Sequence, residues 1–206
     1  MESPSFARDK ATLLYYEKRA REYDDWYDGT GQFARRDRPG WGAEVDRLVE
    51  FIDGLPAART LDIACGSGYL TRHLHGVVVG IDQSRAMVAI AQARLPRGVA
   101  MVGDALDLPF SDGAFDRVFT GHFYGHLSPG ERAALFGEVR RVGGELVVVD
   151  AAVRPGVDVE QWQRRVLDDG SRHRIYKRYF TAAQLAAEIG GEILFDGDWF
   201  VAARAD

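Results

Sequence analysis

The chain has 206 residues, 46% of them hydrophobic, and its 31 acidic and 26 basic residues give a formal net charge of −5. This length predicts a single domain with a sizeable core. The acidic balance argues against broad electrostatic binding to nucleic acid or to an anionic membrane, because such binding needs clustered excess cations to neutralise phosphate groups.

The first predicted elements are two helices. Residues 11–28 form an aromatic-rich stretch that glycines and a proline end between positions 29 and 40. Residues 42–53 follow with apolar side chains at helical spacing, and Gly54 and Pro56 mark their end. Both segments precede the part of the chain that is rich in β-branched residues.

From residue 60 onward, short apolar runs alternate with helical stretches. The predicted strands are 60–64, 77–81, 99–102, 115–119 and 145–149, and the predicted helices between them are 69–75, 84–95 and 129–141. Strands that are apolar on both faces predict a parallel sheet covered by helices. Ser128 and Glu131 form a capping-box pattern at the start of the last of these helices.

In the C-terminal quarter of the chain, the regular alternation of strands and helices ends. We expect a short helix around residues 160–167 and an extended stretch at 172–180. Thr181 and Gln184 form a second capping-box pattern, which predicts a helix that runs to Ile189. Residues 192–204 then have the pattern of a β-hairpin with a turn at 196–198.

The strongest chemical signal is the sequence LDIACGSGYLT at 61–71, which runs from the first predicted strand into the helix predicted after it. Gly66 and Gly68 let the backbone turn sharply and approach a ligand closely, and a helix N-terminus beyond them would add free N–H donors. A dinucleotide fingerprint would place a third glycine where Thr71 stands. Asp62 suits a cationic ligand, such as an amino group or a sulfonium, better than a pyrophosphate.

Acidic residues also follow the second and third predicted strands. Asp82 ends the second strand, where a carboxylate can accept hydrogen bonds from a ribose diol; a helix cap or loop aspartate is the alternative. Asp104 can accept a hydrogen bond from an adenine amine, with Ala105 or Leu106 along the ring; a surface turn is the alternative. The carboxyl ends of parallel strands share one edge of a sheet, so these signals indicate a nucleoside site there.

Residues 60–150 resemble the class I, Rossmann-like S-adenosylmethionine-dependent methyltransferases, in particular their small-molecule group. Residues 62–71 resemble the glycine-rich motif of that family, 80–82 its ribose-binding acid, 103–105 its adenine-binding turn and 115–127 its strand-four segment. The resemblance implies an α/β three-layer sandwich. It also implies a seven-stranded, mostly parallel sheet whose last strand is antiparallel, and an N-terminal helical lid.

The resemblance further implies that the cofactor is S-adenosylmethionine and the product S-adenosylhomocysteine. Tyr16 and Tyr23 match a lid pattern that covers the cofactor; simple packing of these aromatics is the alternative. The implied cofactor-binding residues are Tyr16, Tyr23, Asp62, Ala64, Gly66, Ser67, Gly68, Asp82, Gln83, Ser84, Asp104, Ala105, Leu106, Gly121 and His122.

We expect one domain over residues 1–206. Within it, residues 1–40 form a helical lid and substrate cap, 41–151 the cofactor-binding core, and 152–206 a cap insertion, the last helix and a terminal hairpin.

The segment after the fourth strand crosses the place of methyl transfer in that family. Transfer from a sulfonium is an in-line displacement, for which positioning supplies much of the rate. A base is needed only if the acceptor arrives protonated, and His122 and Tyr124 are the candidate catalytic residues. We interpret His126 as mainly structural and Cys65 as a packing residue. With a single cysteine the sequence has no C-x-x-C metal motif, and we predict no catalytic metal.

Residues 1–40 and 155–180 would hold the substrate. The second segment carries basic and aromatic residues, namely Trp162, Arg164, Arg165, Arg172, His173, Arg174, Tyr176, Lys177, Arg178 and Tyr179. Such a cluster can bind a carboxylate or a phosphate on the substrate. An alternating strand with one solvated face is the alternative.

The leading hypothesis is methyl transfer to an oxygen or nitrogen atom of a small-molecule acceptor. A non-catalytic S-adenosylmethionine-binding protein remains an alternative, as does an NAD-dependent oxidoreductase, against which Asp62 and the missing third glycine count. Nucleic acid and membrane are not expected as partners. Cys65 is the only cysteine, and the polar first ten residues lack a signal peptide's apolar core, so a cytoplasmic monomer or homodimer is expected.

Overall fold

The computed structural model describes residues 7–206, so the first six residues of the predicted cap lie outside the described residues. The α-helices are α1 (Lys10–Arg19), α2 (Asp25–Asp28), α3 (Trp41–Asp53), α4 (Arg85–Arg94), α5 (Pro129–Val142) and α6 (Ala182–Ile189). The strands are β1 (Ala58–Ile63), β2 (Gly76–Asp82), β3 (Val99–Val102), β4 (Arg117–Gly121), β5 (Glu145–Ala151), β6 (Glu160–Val166), β7 (Arg172–Arg178), β8 (Glu192–Asp196) and β9 (Phe200–Ala205).

Seven of these strands form one sheet in the order β3-β2-β1-β4-β5-β9-β8. The pairs among β3, β2, β1, β4 and β5 are parallel, and β9 lies antiparallel to both β5 and β8. The prediction of a seven-stranded, mostly parallel sheet with an antiparallel last strand is confirmed. The strand order reverses between β1 and β4, and open α/β sheets bind ligands at the carboxyl edge beside such a reversal.

Helices cover both faces of this sheet, as β5 shows. Leu146 and Val148 pack in one core cluster with residues of α5 and α6, whereas Val147 and Val149 pack in a second cluster with residues of α3. Successive side chains of a strand point to opposite faces, so this alternation requires a helical layer on each side. The chain is therefore a three-layer α/β sandwich.

Two helices begin where their capping boxes were predicted. The Ser128 hydroxyl accepts a hydrogen bond from the backbone N–H of Glu131, whose carboxylate accepts one from the backbone N–H of Ser128. Thr181 and Gln184 make the same reciprocal pair at the start of α6. These bonds satisfy N–H groups that a helix leaves unpaired at its first turn.

Two predicted helices do not form as expected. The helix predicted over 11–28 breaks after Arg19 into a 3-10 turn, Ala20–Glu22, and the four-residue α2. The helix predicted over 69–75 is wrong, since only a 3-10 turn, Thr71–His73, forms there. The chain has few residues between the glycine loop and β2, and a 3-10 turn spans more distance per residue than an α-helix.

The helix predicted around 160–167 is also wrong. These residues form β6, which pairs with β7 in antiparallel register from Glu160 opposite Arg178 to Val166 opposite Arg172. Glutamine, glutamate and arginine have high helix propensity, but pairing with a partner strand decides the conformation here. The extended stretch predicted at 172–180 is confirmed by β7.

The β6–β7 pair is a separate two-stranded ribbon that packs against α1. Tyr15 of α1 lies in one apolar cluster with Leu167 and Ile175 of the ribbon region. Together, α1 and the ribbon form a cap at the carboxyl edge of the large sheet. None of the helices formed by residues 7–206 has the length and apolar character to cross a membrane.

Candidate functional site

A cavity lies at the carboxyl edge of the sheet, beside the reversal of strand order and beneath α1; we call it the first cavity. Ten of the predicted cofactor-binding residues line it: Tyr16, Tyr23, Ala64, Gly66, Asp82, Gln83, Ser84, Ala105, Gly121 and His122. The remaining five, Asp62, Ser67, Gly68, Asp104 and Leu106, lie around it without lining it.

Left-handed backbone shapes the loop after β1. Ala64, Gly66 and Gly68 have φ angles of 57°, 55° and 76°, a region that favours glycine. A Cβ atom on Gly68 would lie 3.1 Å from the Cα of Ala91 in α4, so the glycine allows the loop to pack closely onto that helix. Gly66 faces the first cavity, whereas Gly68 supports the loop from behind.

Asp82 holds a fixed position at the end of β2. Its Oδ2 accepts a hydrogen bond from the backbone N–H of Gly66 at 3.0 Å, and its Oδ1 accepts one from the backbone N–H of Ser84 at 2.8 Å. Burial at the cavity wall raises the pKa of Asp82 to about 6. Each oxygen keeps acceptor capacity for a ligand hydroxyl, because a carboxylate has about four lone-pair sites.

Asp62 faces a small side pocket that continues from the first cavity along Ala64 and Gly121. Its Oδ2 accepts a hydrogen bond from the Thr71 hydroxyl at 2.6 Å, while its buried Oδ1 has no partner among the described residues. Burial raises the pKa of Asp62 to about 8. A cation in the pocket would favour the ionised form and satisfy the unpartnered oxygen.

The third strand end is arranged differently from the prediction. Asp104 does not line the first cavity: its Oδ2 accepts a hydrogen bond from Arg8 Nε at 2.7 Å, and its Oδ1 accepts one from the backbone N–H of Leu106 at 2.9 Å. Leu106 packs against the core instead. Gly103 and Ala105 form the cavity wall here.

Ser67 is occupied by a contact with the cap. Its hydroxyl donates to Asp24 Oδ1 at 2.5 Å and accepts from Arg94 NH1 at 3.1 Å, and Arg94 also pairs with Asp24. Ser67 is only 1% exposed. The residue therefore joins the glycine loop to α4 and to the start of α2.

His122 closes the end of the first cavity after β4. It adopts a left-handed backbone with φ of 60°, and neither ring nitrogen has a hydrogen-bond partner in the described part of the chain. Its ring lies edge-on to Trp26, with 4.9 Å between centroids. Burial lowers the pKa of His122 to about 3, so the imidazole is neutral at physiological pH.

Tyr124, the second candidate catalytic residue, does not reach either cavity. Its ring is fully buried in the core, and its hydroxyl donates to Glu188 Oε1 of α6 at 2.9 Å. The one-turn 3-10 helix Tyr124–His126 turns this side chain away from the carboxyl edge. The expectation that Tyr124 acts in catalysis is therefore corrected.

The cap closes over the first cavity through α1. The Tyr16 hydroxyl lies 3.3 Å from His126 Nε2, and His126 Nδ1 lies 2.5 Å from the carbonyl oxygen of Tyr176. Burial lowers the pKa of His126, so we assign a neutral ring that donates through Nδ1 and accepts from Tyr16. Glu17 accepts a hydrogen bond from the Ser84 hydroxyl at 2.6 Å, which ties α1 to the start of α4.

A second cavity adjoins the first at Tyr16, Tyr23, His122 and His126, which line both. From the predicted basic cluster it receives Trp162, Arg164, Arg165, Lys177 and Tyr179, whereas Tyr176 lines the first cavity. Its other lining residues are Arg19, Trp26, Arg36, Arg38, Trp41, Ala151, Arg154, Gln161, Gln163 and Trp199. Among residues 7–206, no group of three or more potential metal ligands occurs.

Several residues of both cavities were missed from the sequence. Met87 and Ile175 line the first cavity, and Trp26, Trp41 and Trp199 line the second. Each occupies a helix, strand or turn position that a core residue would also occupy. The sequence signal that could have pointed to the second cavity is the basic run at 35–38, where three arginines follow the broken N-terminal helix.

Comparison with known proteins agrees with this geometry. A family model described as "Methyltransferase domain" matches residues 60–143. A demethylmenaquinone methyltransferase of Thermotoga maritima is 36% identical over 112 residues, which cover 50% of this chain and 48% of that protein. The chain spans about half the length of the curated relatives it matches.

Two solved structures resemble nearly the whole chain. The DhpI–SAH complex has a TM-score of 0.71 and 27% identity, covering 95% of this chain and 94% of DhpI. The DhpI–SAM–HEP complex has a TM-score of 0.72 and 25% identity, covering 99% of this chain and all of that one. The likeness therefore includes the cap as well as the sheet.

Proposed function

We propose that this chain, a member of the class I S-adenosylmethionine-dependent methyltransferases, transfers the methyl group of S-adenosylmethionine to an oxygen or nitrogen atom of a small-molecule acceptor. The observation that carries the proposal is a pair of buried carboxylates at the switch point: Asp82 lines the first cavity, and Asp62 lines the side pocket that continues from it. The likeness to proteins bound to SAM and SAH supports the choice of cofactor.

The residues present fit this cofactor. The unpartnered Oδ1 of Asp62 suits its ammonium group, and the fixed carboxylate of Asp82 suits its ribose hydroxyls. Gly103, Ala105 and Met87 offer a narrow apolar wall for the adenine ring. Gln83 adds a buried side-chain oxygen at the same wall, and this oxygen has no hydrogen-bond partner within residues 7–206.

When bound, the cofactor supplies an activated methyl group on a sulfonium. The chain's own part is to orient the acceptor and to exclude water beneath α1. His122 lies where the two cavities join, and its ring nitrogens have no partner among residues 7–206. One nitrogen can accept a hydrogen bond from the methyl-acceptor molecule, and the other can donate one to it. Because its pKa is lowered to about 3, we assign it to orientation rather than to proton removal.

Cofactor binding is tested with Asp82→Ala. Loss of a charged acceptor for the ribose hydroxyls costs about 1.5–3 kcal/mol, which raises the Kd for S-adenosylhomocysteine about 10- to 150-fold. Asp116→Ala is the matched control. Asp116 lies just before β4, is exposed, and pairs with Arg59 of β1. Equal affinities of the Asp82→Ala variant and the wild type would reject the proposed role of Asp82.

Turnover separates the proposal from its rivals. Purified protein is incubated with S-adenosylmethionine carrying a labelled methyl group and with a panel of small alcohols, acids and amines. We expect label in one class of acceptor with stoichiometric S-adenosylhomocysteine. A protein that binds the cofactor but labels no acceptor in the panel would favour the non-catalytic alternative.

A further inference from the structure

The second cavity concentrates positive charge. Its cationic lining residues come from four separate parts of the chain: Arg19, Arg36, Arg38, Arg154, Arg164, Arg165 and Lys177. No aspartate or glutamate stands among the lining residues that the structure describes. The whole chain has a formal net charge of −5, so this concentration opposes the average composition.

Most of this charge is not neutralised within the chain. Lys177 pairs with the buried Asp150, but within residues 7–206 the six arginines have no carboxylate oxygen within 4.0 Å. Arg165 also has a buried Nε with no hydrogen-bond partner among these residues. Arg19, Arg38 and Arg165 each donate a hydrogen bond to a neutral oxygen. The cavity therefore contains positive charge that no carboxylate of the described residues neutralises.

Aromatic rings contact four of these arginines without cancelling their charge, namely Arg19, Arg36, Arg38 and Arg154. The guanidinium carbon of Arg36 lies 4.5 Å from the ring centroid of Phe33, and that of Arg154 lies 4.4 Å from the ring of Trp199. Such cation–π contacts hold the planar group against one face and leave its N–H edges available. The arginines are thus prearranged rather than loosely solvated.

The arginines also repel one another. Burial lowers the pKa of Arg36, and the nearby charges of Arg165 and Arg19 lower it further. Burial likewise lowers the pKa of Arg38, with added effects from Arg36 and Arg154. An anion between these groups would reverse both effects, because an opposite charge favours the ionised form and compensates for its desolvation.

The second cavity joins the first cavity at His122, where we place methyl transfer. His122 lines both cavities, and neither of its ring nitrogens has a hydrogen-bond partner among the described residues. A molecule that places a charged group among the arginines would therefore reach past His122 towards the cofactor. Trp26 and Trp41 supply apolar walls along the way.

We infer that the acceptor carries an oxyanion group, either a phosphorus oxyanion or a carboxylate, which the second cavity binds chiefly through Arg36, Arg154 and Arg165. This inference rests on the proposed methyltransferase function, because it identifies the substrate class of the same site. Guanidinium groups match both kinds of oxyanion, since their N–H donors form a rigid planar fork. The arginines bind the oxyanion group of the acceptor, and the atom to be methylated faces His122.

Binding of simple anions to the protein saturated with S-adenosylhomocysteine tests the inference. The probes are inorganic phosphate, methylphosphonate and acetate, each compared with sodium chloride at the same ionic strength in thermal unfolding and calorimetric titration. We expect saturable binding of at least one probe. Arg154→Gln and Arg165→Gln should each weaken it about tenfold, whereas Arg172→Gln on the exposed side of β7 should not change it.

The outcomes separate the two proposals. Preference for phosphate or methylphosphonate supports the inference with a phosphorus acid as the anchor, and preference for acetate supports it with a carboxylate. Binding of no probe by the wild type, or equal binding by all variants, overturns the inference, even if S-adenosylhomocysteine still binds normally. Failure of the wild type to bind S-adenosylhomocysteine defeats the proposed function itself.

Discussion

Replacement of Asp62 by asparagine gives a pH-dependent effect that follows directly from its burial. Asp62 is 2% exposed and lies beside a pocket, with one oxygen bonded to Thr71 and the other unpartnered within residues 7–206. Burial raises its pKa to about 8 from an ordinary value of 3.8. Below pH 8 the ligand-free protein thus holds a neutral carboxyl group, which asparagine imitates.

The sign of the effect follows from linkage. A group whose pKa is raised on folding contributes stability that is fully present below the unfolded pKa and is lost as the pH rises through the folded pKa. For Asp62 this window extends from about pH 4 to about pH 8. The loss is at most about 1.36 kcal/mol per pH unit, and therefore about 4 kcal/mol between pH 5 and pH 8.

Asp62→Asn removes this loss. Urea unfolding of the ligand-free proteins at pH 5, 6, 7 and 8 should show the variant gaining stability relative to the wild type as the pH rises. The raised pKa of Asp82 gives both proteins a similar pH dependence, so the difference between them reports Asp62 together with its interaction with Asp82. Parallel stability curves for the two proteins would refute the argument from burial.

Whereas ionisation of Asp62 lowers the stability of the ligand-free protein, it should strengthen the binding of S-adenosylhomocysteine. The ammonium group of S-adenosylhomocysteine should ionise Asp62, so binding near pH 7 should release a proton. Calorimetry in buffers of different ionisation enthalpy measures that release. The Asp62→Asn variant should bind more weakly and release less, and equal proton release by both proteins would place the ammonium group elsewhere.

Three further substitutions have defined outcomes. Tyr124→Phe should cost about 1 kcal/mol in urea unfolding through its lost bond to Glu188, yet leave S-adenosylhomocysteine affinity unchanged; a weaker affinity would put Tyr124 back at the site. Lys177→Met should cost about 3–5 kcal/mol, because it strands the fully buried Asp150, and a neutral result would contradict that pairing. Gly68→Ala should cost at least about 1 kcal/mol, since its φ is +76° and the added Cβ meets a helix backbone atom at 3.1 Å; a stabilised variant would contradict this.

The sequence predicted those parts of the fold in which local and tertiary signals agree. β2 and β5 are apolar on both faces and could only be buried strands, and the capping boxes at Ser128 and Thr181 mark helix starts through bonds within four residues. The positions of Asp62 and Asp82 at one sheet edge followed from parallel pairing alone. These features depend on short stretches of chain or on a general rule of topology.

The remaining errors have nonlocal causes. β6 is a strand because it pairs with β7, and nothing within Glu160–Val166 reveals that partner. Tyr124 is a core residue whose hydroxyl donates to Glu188 of α6, a contact between residues 64 positions apart. Asp104 meets Arg8 rather than the cavity, a contact between residues almost a hundred positions apart.

The second cavity could not be assembled from sequence for the same reason. Its arginines come from α1, from the loop after α2, from the turn after β5 and from β6, and only the closed cap brings them together. Of the ten basic and aromatic residues predicted at 155–180, five line the second cavity and five do not, and the sequence pattern alone does not separate the two sets.

The central claim is that the first cavity is a site for S-adenosylmethionine, and calorimetric titration of the purified protein tests it most directly. We predict that S-adenosylmethionine and S-adenosylhomocysteine each bind with one-to-one stoichiometry, that Asp82→Ala weakens both, and that NAD produces no saturable heat. Saturable binding of NAD, or cofactor affinity that is unchanged in the Asp82→Ala protein, would contradict the account.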